Sequence, residues 1–189
     1  MIYAMKTKLF ITFLGAYALC TAAAIAATPP ANPLSTVAAL DVPRYMGVWF
    51  EIAKYPNRFQ KMCVSNTQAQ YAPLADGTVQ VTNRCTTEDG SLSEAVGAAR
   101  LVGDAGSPKL KVRFAPAWLS FIPAVWGDYW VIDLDPQYQL AAVSEPKREY
   151  LWILARTPTV SPKAYAELLT RLEQAGFDLR KLETTPQEK

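Results

Sequence analysis

The chain contains no histidine among its 189 residues. Without an imidazole it cannot form a Ser-His-Asp triad, a Cys-His nucleophilic pair or a metal site that uses histidine ligands. Carboxylate chemistry remains open, so an enzyme is disfavoured but not excluded. The sequence also lacks internal repeats and charge-rich, apolar-poor segments, which argues for one ordinary globular domain.

Net charge is nearly absent as well. The chain has 19 basic and 17 acidic residues, a net charge of +2, and residues 1–26 hold two of the lysines and no acid. The rest of the chain therefore carries 17 charges of each sign and no net charge. This balance gives no support to a nucleic-acid-binding surface.

A long apolar run occurs near the N-terminus. Lys6 and Lys8 precede LFITFLGAYAL (9–19), and an alanine-rich segment with an A-x-A cleavage pattern at residues 24–26 follows. This order predicts a secretory signal peptide over residues 1–26, with an N-terminal linker at 27–40. The protein is therefore expected to be exported.

Two other interpretations of this segment remain open. Residues 9–27 are nearly long enough to cross a bilayer as an uncleaved anchor. Cys20 is a candidate for lipid attachment, although such sites place a small residue before the cysteine and this chain has Leu19.

Apolar and polar residues alternate almost everywhere up to residue 156, and turn signals recur about every ten residues. Short strands joined by tight turns favour an up-and-down sheet that closes on itself and leaves no exposed edge. The sequence predicts an all-β fold over residues 41–185: an eight-stranded up-and-down antiparallel barrel. The predicted strands are 47–55, 64–72, 78–86, 94–102, 109–114, 128–134, 138–144 and 149–156.

One helix is predicted after the strands, at about residues 162–175. Ser161 suits the N-cap and Gly176 ends the run. Leu168 and Leu172 belong to an apolar stripe at helical spacing, which we expect to pack on the outside of the barrel. Residues 186–189 are predicted to form a tail.

A hairpin around Gly77 predicts which residues face the interior. The turn sets Tyr71 opposite Val79, so that odd-numbered residues of both strands face inward and even-numbered ones, such as Thr82, face water. In the strand 109–114, residues 110, 112 and 114 are expected inside, and the cationic residues 109, 111 and 113 outside.

Beyond the signal segment the chain has two cysteines, Cys63 and Cys85. In an exported protein two cysteines most simply form one disulfide. The hairpin places both on the inner face, within about one pair of direct register, so a small bulge or bend would let them bond.

Three segments resemble the signature motifs of the lipocalins, and within them the bacterial outer-membrane group. GVWFEIAKYPNRF (47–59) is similar to the first motif, GDYWVIDLD (127–135) to the second and REYLWILARTP (148–158) to the third. The resemblance covers about residues 40–185. It implies a calyx that binds a small apolar ligand in the periplasm or at the outer membrane, with no cofactor and no metal.

The resemblance also implies structural roles for three residues. Gly47 would allow a tight turn from a short 3₁₀ segment into the first strand, and Trp49 would plug the closed end of the barrel. Arg156 would lie across the indole in a cation–π contact worth about 0.5–2 kcal/mol. None of the three is expected to be catalytic, and no catalytic residue is predicted elsewhere.

An eight-stranded barrel can hold one small ligand unless its own side chains fill it. Small residues in EAVGAARLV (94–102) predict unfilled volume, and an acyl chain would gain about 0.8 kcal/mol for each buried methylene. Glu51 shares the parity of Trp49, so it must either be neutralised by a nearby donor or contact the ligand. The predicted ligand-binding residues are Glu51, Tyr71, Val81, Leu110, Val112, Phe114, Trp118, Phe121, Tyr129 and Trp152.

The apolar loop, APAWLSFIPAVWG (115–127), carries no charge although loops are usually polar. We expect it either to fold over the mouth as a lid or to contact a bilayer or a partner while lipid is loaded. Trp118 and Trp126 suit an interface of that kind.

These features favour an exported protein that stores or transports fatty acids, lysophospholipids or similar lipids, and the resemblance to the lipocalins implies a role in envelope lipid maintenance. Two alternatives remain: a lipocalin-like enzyme acting on an apolar ligand, for which a free thiol is the obvious reactive group, and a structural envelope protein with a filled barrel.

Overall fold

The structure, a computed structural model, describes residues 32–188. The predicted signal peptide and Cys20 lie outside the described residues. Within the described range, strands dominate, with a one-turn helix before them and a longer helix after them. The elements are α1 (Val42–Tyr45), β1 (Gly47–Lys54), β2 (Cys63–Pro73), β3 (Val79–Thr87), β4 (Leu92–Leu101), β5 (Lys109–Arg113), β6 (Gly127–Leu134), β7 (Leu140–Ser144), β8 (Leu151–Ala155), α2 (Pro162–Gln174) and β9 (Glu183–Thr184).

The strands form the predicted barrel. Each of β1 to β8 pairs antiparallel with its neighbour in sequence, and β1 pairs with both β2 and β8, which closes the sheet. Successive strands run up and down, so alternate loops gather at opposite ends. We call the end that holds loops 55–62, 88–91, 114–126 and 145–150 the open end, and the other the closed end.

The β2–β3 register differs from the prediction by two residues. Tyr71 lies opposite Val81 rather than Val79, because the hairpin turn spans residues 74–78. A shift of two leaves every side chain on its predicted face, since the side-chain period of a strand is two. Thr82 was predicted to face water and is only 8% exposed, because it lies between Gln70 and Val96 on the two flanking strands.

Helix α2 packs on the outside of the barrel as expected. The Ser161 side chain accepts a hydrogen bond from the backbone N–H of Ala164, and Gly176 follows the helix with φ of +88°. Leu168 and Leu172 are buried in a cluster with outward-facing residues of β7 and β8, such as Ile153. The barrel wall is therefore covered on this side. No helix among residues 32–188 is long and apolar enough to cross a membrane.

Both ends of the described chain pack on the barrel more closely than the sequence suggested. In the predicted linker, Leu34 joins the cluster beneath α2 and Leu40 joins the barrel core. In the predicted tail, Gln187 donates hydrogen bonds to the backbone carbonyls of Glu51 and Thr67. Alternation alone could not reveal these contacts, because they are made by irregular backbone.

Candidate ligand-binding site

The closed end is sealed by one tryptophan and one arginine. Trp49 is fully buried, and its indole N–H donates to the Tyr45 carbonyl at 2.8 Å. The Arg156 guanidinium carbon lies 3.9 Å from the centre of the Trp49 ring. The guanidinium also donates to the carbonyls of Val48, Arg44 and Tyr138. This geometry is the one that the resemblance implies, and it leaves no passage for ligand at this end.

Gly47 is required where β1 begins. Its φ is +95°, a left-handed conformation that favours glycine. A Cβ atom there would lie 3.3 Å from Nη1 of Arg156. The preceding segment is the one-turn helix α1 rather than the 3₁₀ turn that the resemblance implied.

The closed half of the lumen is filled by three tyrosines. The Tyr129 hydroxyl lies 2.9 Å from the hydroxyls of both Tyr45 and Tyr71. Burial raises the pKa of Tyr71 to about 12, and it raises the pKa values of Tyr45 and Tyr129 well above the ordinary value for a phenol. We call these three residues the tyrosine layer.

The enclosed cavity beside the tyrosine layer has a volume of about 20 Å³. A single water molecule needs about 10–15 Å³, so no acyl chain fits in this part of the barrel. The lining includes five predicted ligand-binding residues, and Tyr45 among those that the prediction missed. The five are Tyr71, Val81, Leu110, Val112 and Tyr129.

The open half of the lumen is accessible to solvent. Ala95 lies opposite the inward-facing Asn83 and is exposed, as is Gly127 at the start of β6. Asn83 and Ala69 on the same wall are only half buried. Solvent therefore reaches the inner wall between the tyrosine layer and the mouth.

Phe114 occupies part of the space that small residues of β4 were expected to leave empty. A Cβ atom on Gly97 would lie 2.8 Å from the Phe114 ring, so the ring rests on the glycine. Phe114 was predicted to lie inside the barrel, and its ring does face the inward-facing Gly97, although the residue follows the end of β5 and is 43% exposed. Arg113, predicted to face water, is 9% exposed.

Glu51 was predicted to be a ligand-binding residue, but its carboxylate is bound by other side chains of the protein. It is 2% exposed, and its carboxylate accepts hydrogen bonds from Gln60 at 2.6 Å and from the Thr185 hydroxyl at 2.6 Å. The Gln60 side-chain oxygen in turn accepts a hydrogen bond from the Trp152 indole at 2.9 Å. These donors satisfy the Glu51 carboxylate and Lys54 Nζ lies 3.7 Å from it, which is the first of the two expected alternatives, so its assignment to the ligand is not supported. Trp152 remains half buried on the inner wall.

Thr185 belongs to a segment that completes the wall between β1 and β2. The two strands pair only as far as Phe50 and Gln68, and β2 is irregular beyond that point. Residues 183–188, which we call the C-terminal stave, fill the gap. The backbone N–H of Thr185 donates to Ile52, and that of Asn66 donates to Pro186.

The two cysteines form the predicted disulfide. Cys63 and Cys85 are bonded with their Cα atoms 5.5 Å apart, and β2 shows register shifts between Cys63 and Gln68, in keeping with the expected bulge. Neither sulfur is therefore available as a thiol nucleophile.

The apolar loop does not close the mouth. Its Trp126 lies on the outer wall, where the ring centre is 4.3 Å from the Arg100 guanidinium and 5.2 Å from that of Arg113. The Trp126 indole donates to the Ser120 carbonyl at 2.8 Å, which holds the middle of the loop on the same side. This arrangement does not match the expected lid.

Two residues at the tip of the apolar loop, Trp118 and Phe121, are 72% and 77% exposed. They are the predicted site residues that lie outside the lumen. No sequence pattern indicated the role of Gln60, because a loop residue that contacts the inner wall follows no periodicity. For Tyr45 there was a weak indication, since it is an aromatic residue two positions before the first motif.

Comparison with known proteins agrees with this architecture. Residues 40–187 match the family model for the lipocalin-like domain. The chain is 42% identical over 156 residues to temperature-induced lipocalin-1 of Arabidopsis thaliana, covering 82% of this chain and 83% of the relative. It is 37% identical over 155 residues to the outer membrane lipoprotein Blc of Escherichia coli K12, covering 82% of each chain. The structure of insecticyanin from the tobacco hornworm Manduca sexta superimposes with a TM-score of 0.63 at 18% identity, covering 82% of this chain and 85% of that one.

Proposed function

The chain belongs to the lipocalin family, whose members bind small hydrophobic ligands, and from that premise we propose that it stores or carries fatty acids, lysophospholipids or similar lipids. The ligand enters through the open end, and its acyl chain lies against the inner wall near Ala95, Trp152 and the Phe114 ring. The polar headgroup stays at the mouth, where burial would cost more than it returns.

This proposal is supported by the difference between the open half and the closed half of the lumen. Solvent reaches the inner wall of the open half, whereas the closed half has one cavity of about 20 Å³ under the tyrosine layer. Each methylene that leaves water contributes about 0.8 kcal/mol to binding. Affinity should therefore rise with chain length until the chain end reaches the tyrosine layer, and then level off.

The test is a series of fatty acids of increasing length that compete with a fluorescent fatty acid. In the Tyr129→Ala variant the levelling-off should move to longer chains, because the deep half is opened. Tyr129→Phe keeps the ring and serves as the matched control, with circular dichroism to verify folding. Equal plateaus in all three proteins would contradict a ligand in the lumen. A complete lack of uptake by the wild type would favour the filled-barrel alternative.

We further infer that the protein acts in the cell envelope. The predicted signal peptide supports export, and relatives described as outer membrane lipoproteins support an envelope location. Native mass spectrometry of the protein purified from its own envelope would give both the bound lipid and the mature N-terminal mass. An N-terminus bearing residues 1–26 would contradict cleavage, and an acylated Cys20 would establish the lipid anchor.

Lipid loading at a bilayer is the role that suits the apolar loop. Trp118 and Phe121 are large, exposed and next to the mouth, and tryptophan favours the membrane interface. The enzyme alternative loses its obvious reactive groups, because the Cys63 and Cys85 thiols are spent in the disulfide. Titration with a thiol reagent provides the check, since a reactive thiol in the calyx would revive that alternative.

A further inference from the structure

A cationic surface lies on the outer wall beside the apolar loop, and ligand binding in the lumen does not use it. Arg100 on β4 and Arg113 on β5 contact the Trp126 ring, and Lys109 and Lys111 lie on the same face of β5. We call this group the basic patch; it consists of Arg100, Lys109, Lys111, Arg113 and Trp126.

The charge of the basic patch is largely unbalanced. Lys111 pairs with Asp128 at 2.8 Å, and Lys109 lies 4.2 Å from the centre of the Trp130 ring. Within the part of the chain that the structure describes, neither Arg100 nor Arg113 forms an ion pair. The chain after residue 26 has no net charge, so the patch is a local excess of positive charge rather than part of a basic protein.

Arg113 is the clearest indication that the basic patch binds an anion. It is 9% exposed, its Nη1 donates to the Ala115 carbonyl, and its Nε has no hydrogen-bond partner. A buried charge is costly unless it is paired, and proteins rarely leave such a donor unsatisfied. Ala115 belongs to the apolar loop, so a shift of the loop would free the guanidinium to bind an oxyanion.

The basic patch and the exposed loop tip are parts of one surface. Trp126 connects them, because its ring contacts Arg100 and Arg113. Its indole N–H donates a hydrogen bond to the carbonyl of Ser120, the residue before Phe121. Apolar anchors beside cations are the combination by which peripheral proteins bind anionic membranes.

We propose that the basic patch and the apolar loop together bind an anionic bilayer, with lipid phosphates at Arg100 and Arg113 and with Trp118 and Phe121 inserted at the interface. The proposal rests on the proposed function, because it names the surface at which lipid is loaded. Guanidinium groups bind phosphate oxygens through paired hydrogen bonds, which favours a phosphate headgroup as the anion.

The experiment compares sedimentation with vesicles of phosphatidylcholine alone and with vesicles in which part of it is replaced by anionic phosphatidylglycerol. The wild type should bind the anionic vesicles more tightly, and added salt should weaken that binding because it screens the charges. Arg100→Gln should lower the affinity for anionic vesicles about fivefold, the effect of one cation near an anionic surface. The double variant Trp118→Ser/Phe121→Ser should lower binding to both kinds of vesicle.

Lys163→Gln is the matched control, since Lys163 is a highly exposed cation on α2, outside the patch. It should leave vesicle binding unchanged, and both Lys163→Gln and Arg100→Gln should still take up fluorescent fatty acid in the absence of vesicles. Equal binding to the two vesicle types, or equal losses in Arg100→Gln and Lys163→Gln, would overturn the proposal even if lipid uptake is normal. Inorganic phosphate that binds the protein without any vesicle preference would also overturn it, since the site would then serve a free anion. Failure of uptake in the wild type would instead overturn the proposed function.

Discussion

At the scale of single residues, Arg156 shows how one side chain holds several segments together. Its guanidinium donates to carbonyls of α1, β1 and the turn before β7, and it covers the Trp49 ring. Arg156→Met should therefore lower the free energy of unfolding by about 2–4 kcal/mol, because several charge-assisted hydrogen bonds and a cation–π contact are lost. Urea denaturation measures this loss.

Arg156→Lys is the informative control for that change. Lysine keeps the charge but cannot reproduce the planar fork of donors, so it should recover less than half of the lost stability. Full recovery would mean that charge alone matters at the closed end. Lipid affinity should be nearly the same in both variants, since the ligand site is at the other end of the barrel.

At the scale of elements, the C-terminal stave is part of the barrel wall. Truncation after Leu182 would leave the Ile52 and Thr67 carbonyls without their partners and would remove the Thr185 hydroxyl from Glu51. We expect the truncated protein to release a fluorescent fatty acid faster, because the wall of the open half then has a gap between β1 and β2. Stopped-flow displacement measures the rate.

Thr185→Val in the full chain separates two effects of that truncation. It removes the bond to Glu51 while it keeps the backbone of the stave in place. Release should therefore stay close to the wild-type rate. If truncation does not speed release, the stave does not guard the lumen.

The elements also show what the sequence could and could not predict. The boundaries of the eight strands and α2 were predicted within two residues because alternation and capping are local signals. The β2–β3 register was wrong by two, since alternation is unchanged by such a slip. The predicted fifth strand was one residue too long, because β5 ends at Arg113. The roles of Gln60 and Thr185 depend on contacts distant in sequence, which no local pattern encodes.

At the scale of the whole molecule, the tyrosine layer predicts how stability depends on pH. Burial raises the pKa of each phenol above its value of 10 in the unfolded chain, to about 12 for Tyr71. The folded state therefore holds these protons more tightly, and their contribution is fully present below pH 10 and is lost as pH rises towards 12. Each phenol should lower the unfolding free energy by up to about 1.4 kcal/mol per pH unit in that window.

Absorbance at alkaline pH provides the measurement. Exposed tyrosines should ionise near their usual pKa, whereas the three buried phenols should ionise together with unfolding. Tyr71→Phe should make the pH dependence shallower. A titration in which every tyrosine ionises reversibly near pH 10 without unfolding would contradict the buried layer.

The C-terminal stave also determines when the barrel can close during synthesis of the chain. Thr185 and Glu51 are 134 positions apart, so the seam beside the first strand stays incomplete until nearly the entire described chain has been synthesised. Contacts of such long range form late, since the intervening polypeptide must first be brought together. A nascent chain in this condition has no closed barrel that would have to unfold, a property that suits the export proposed above.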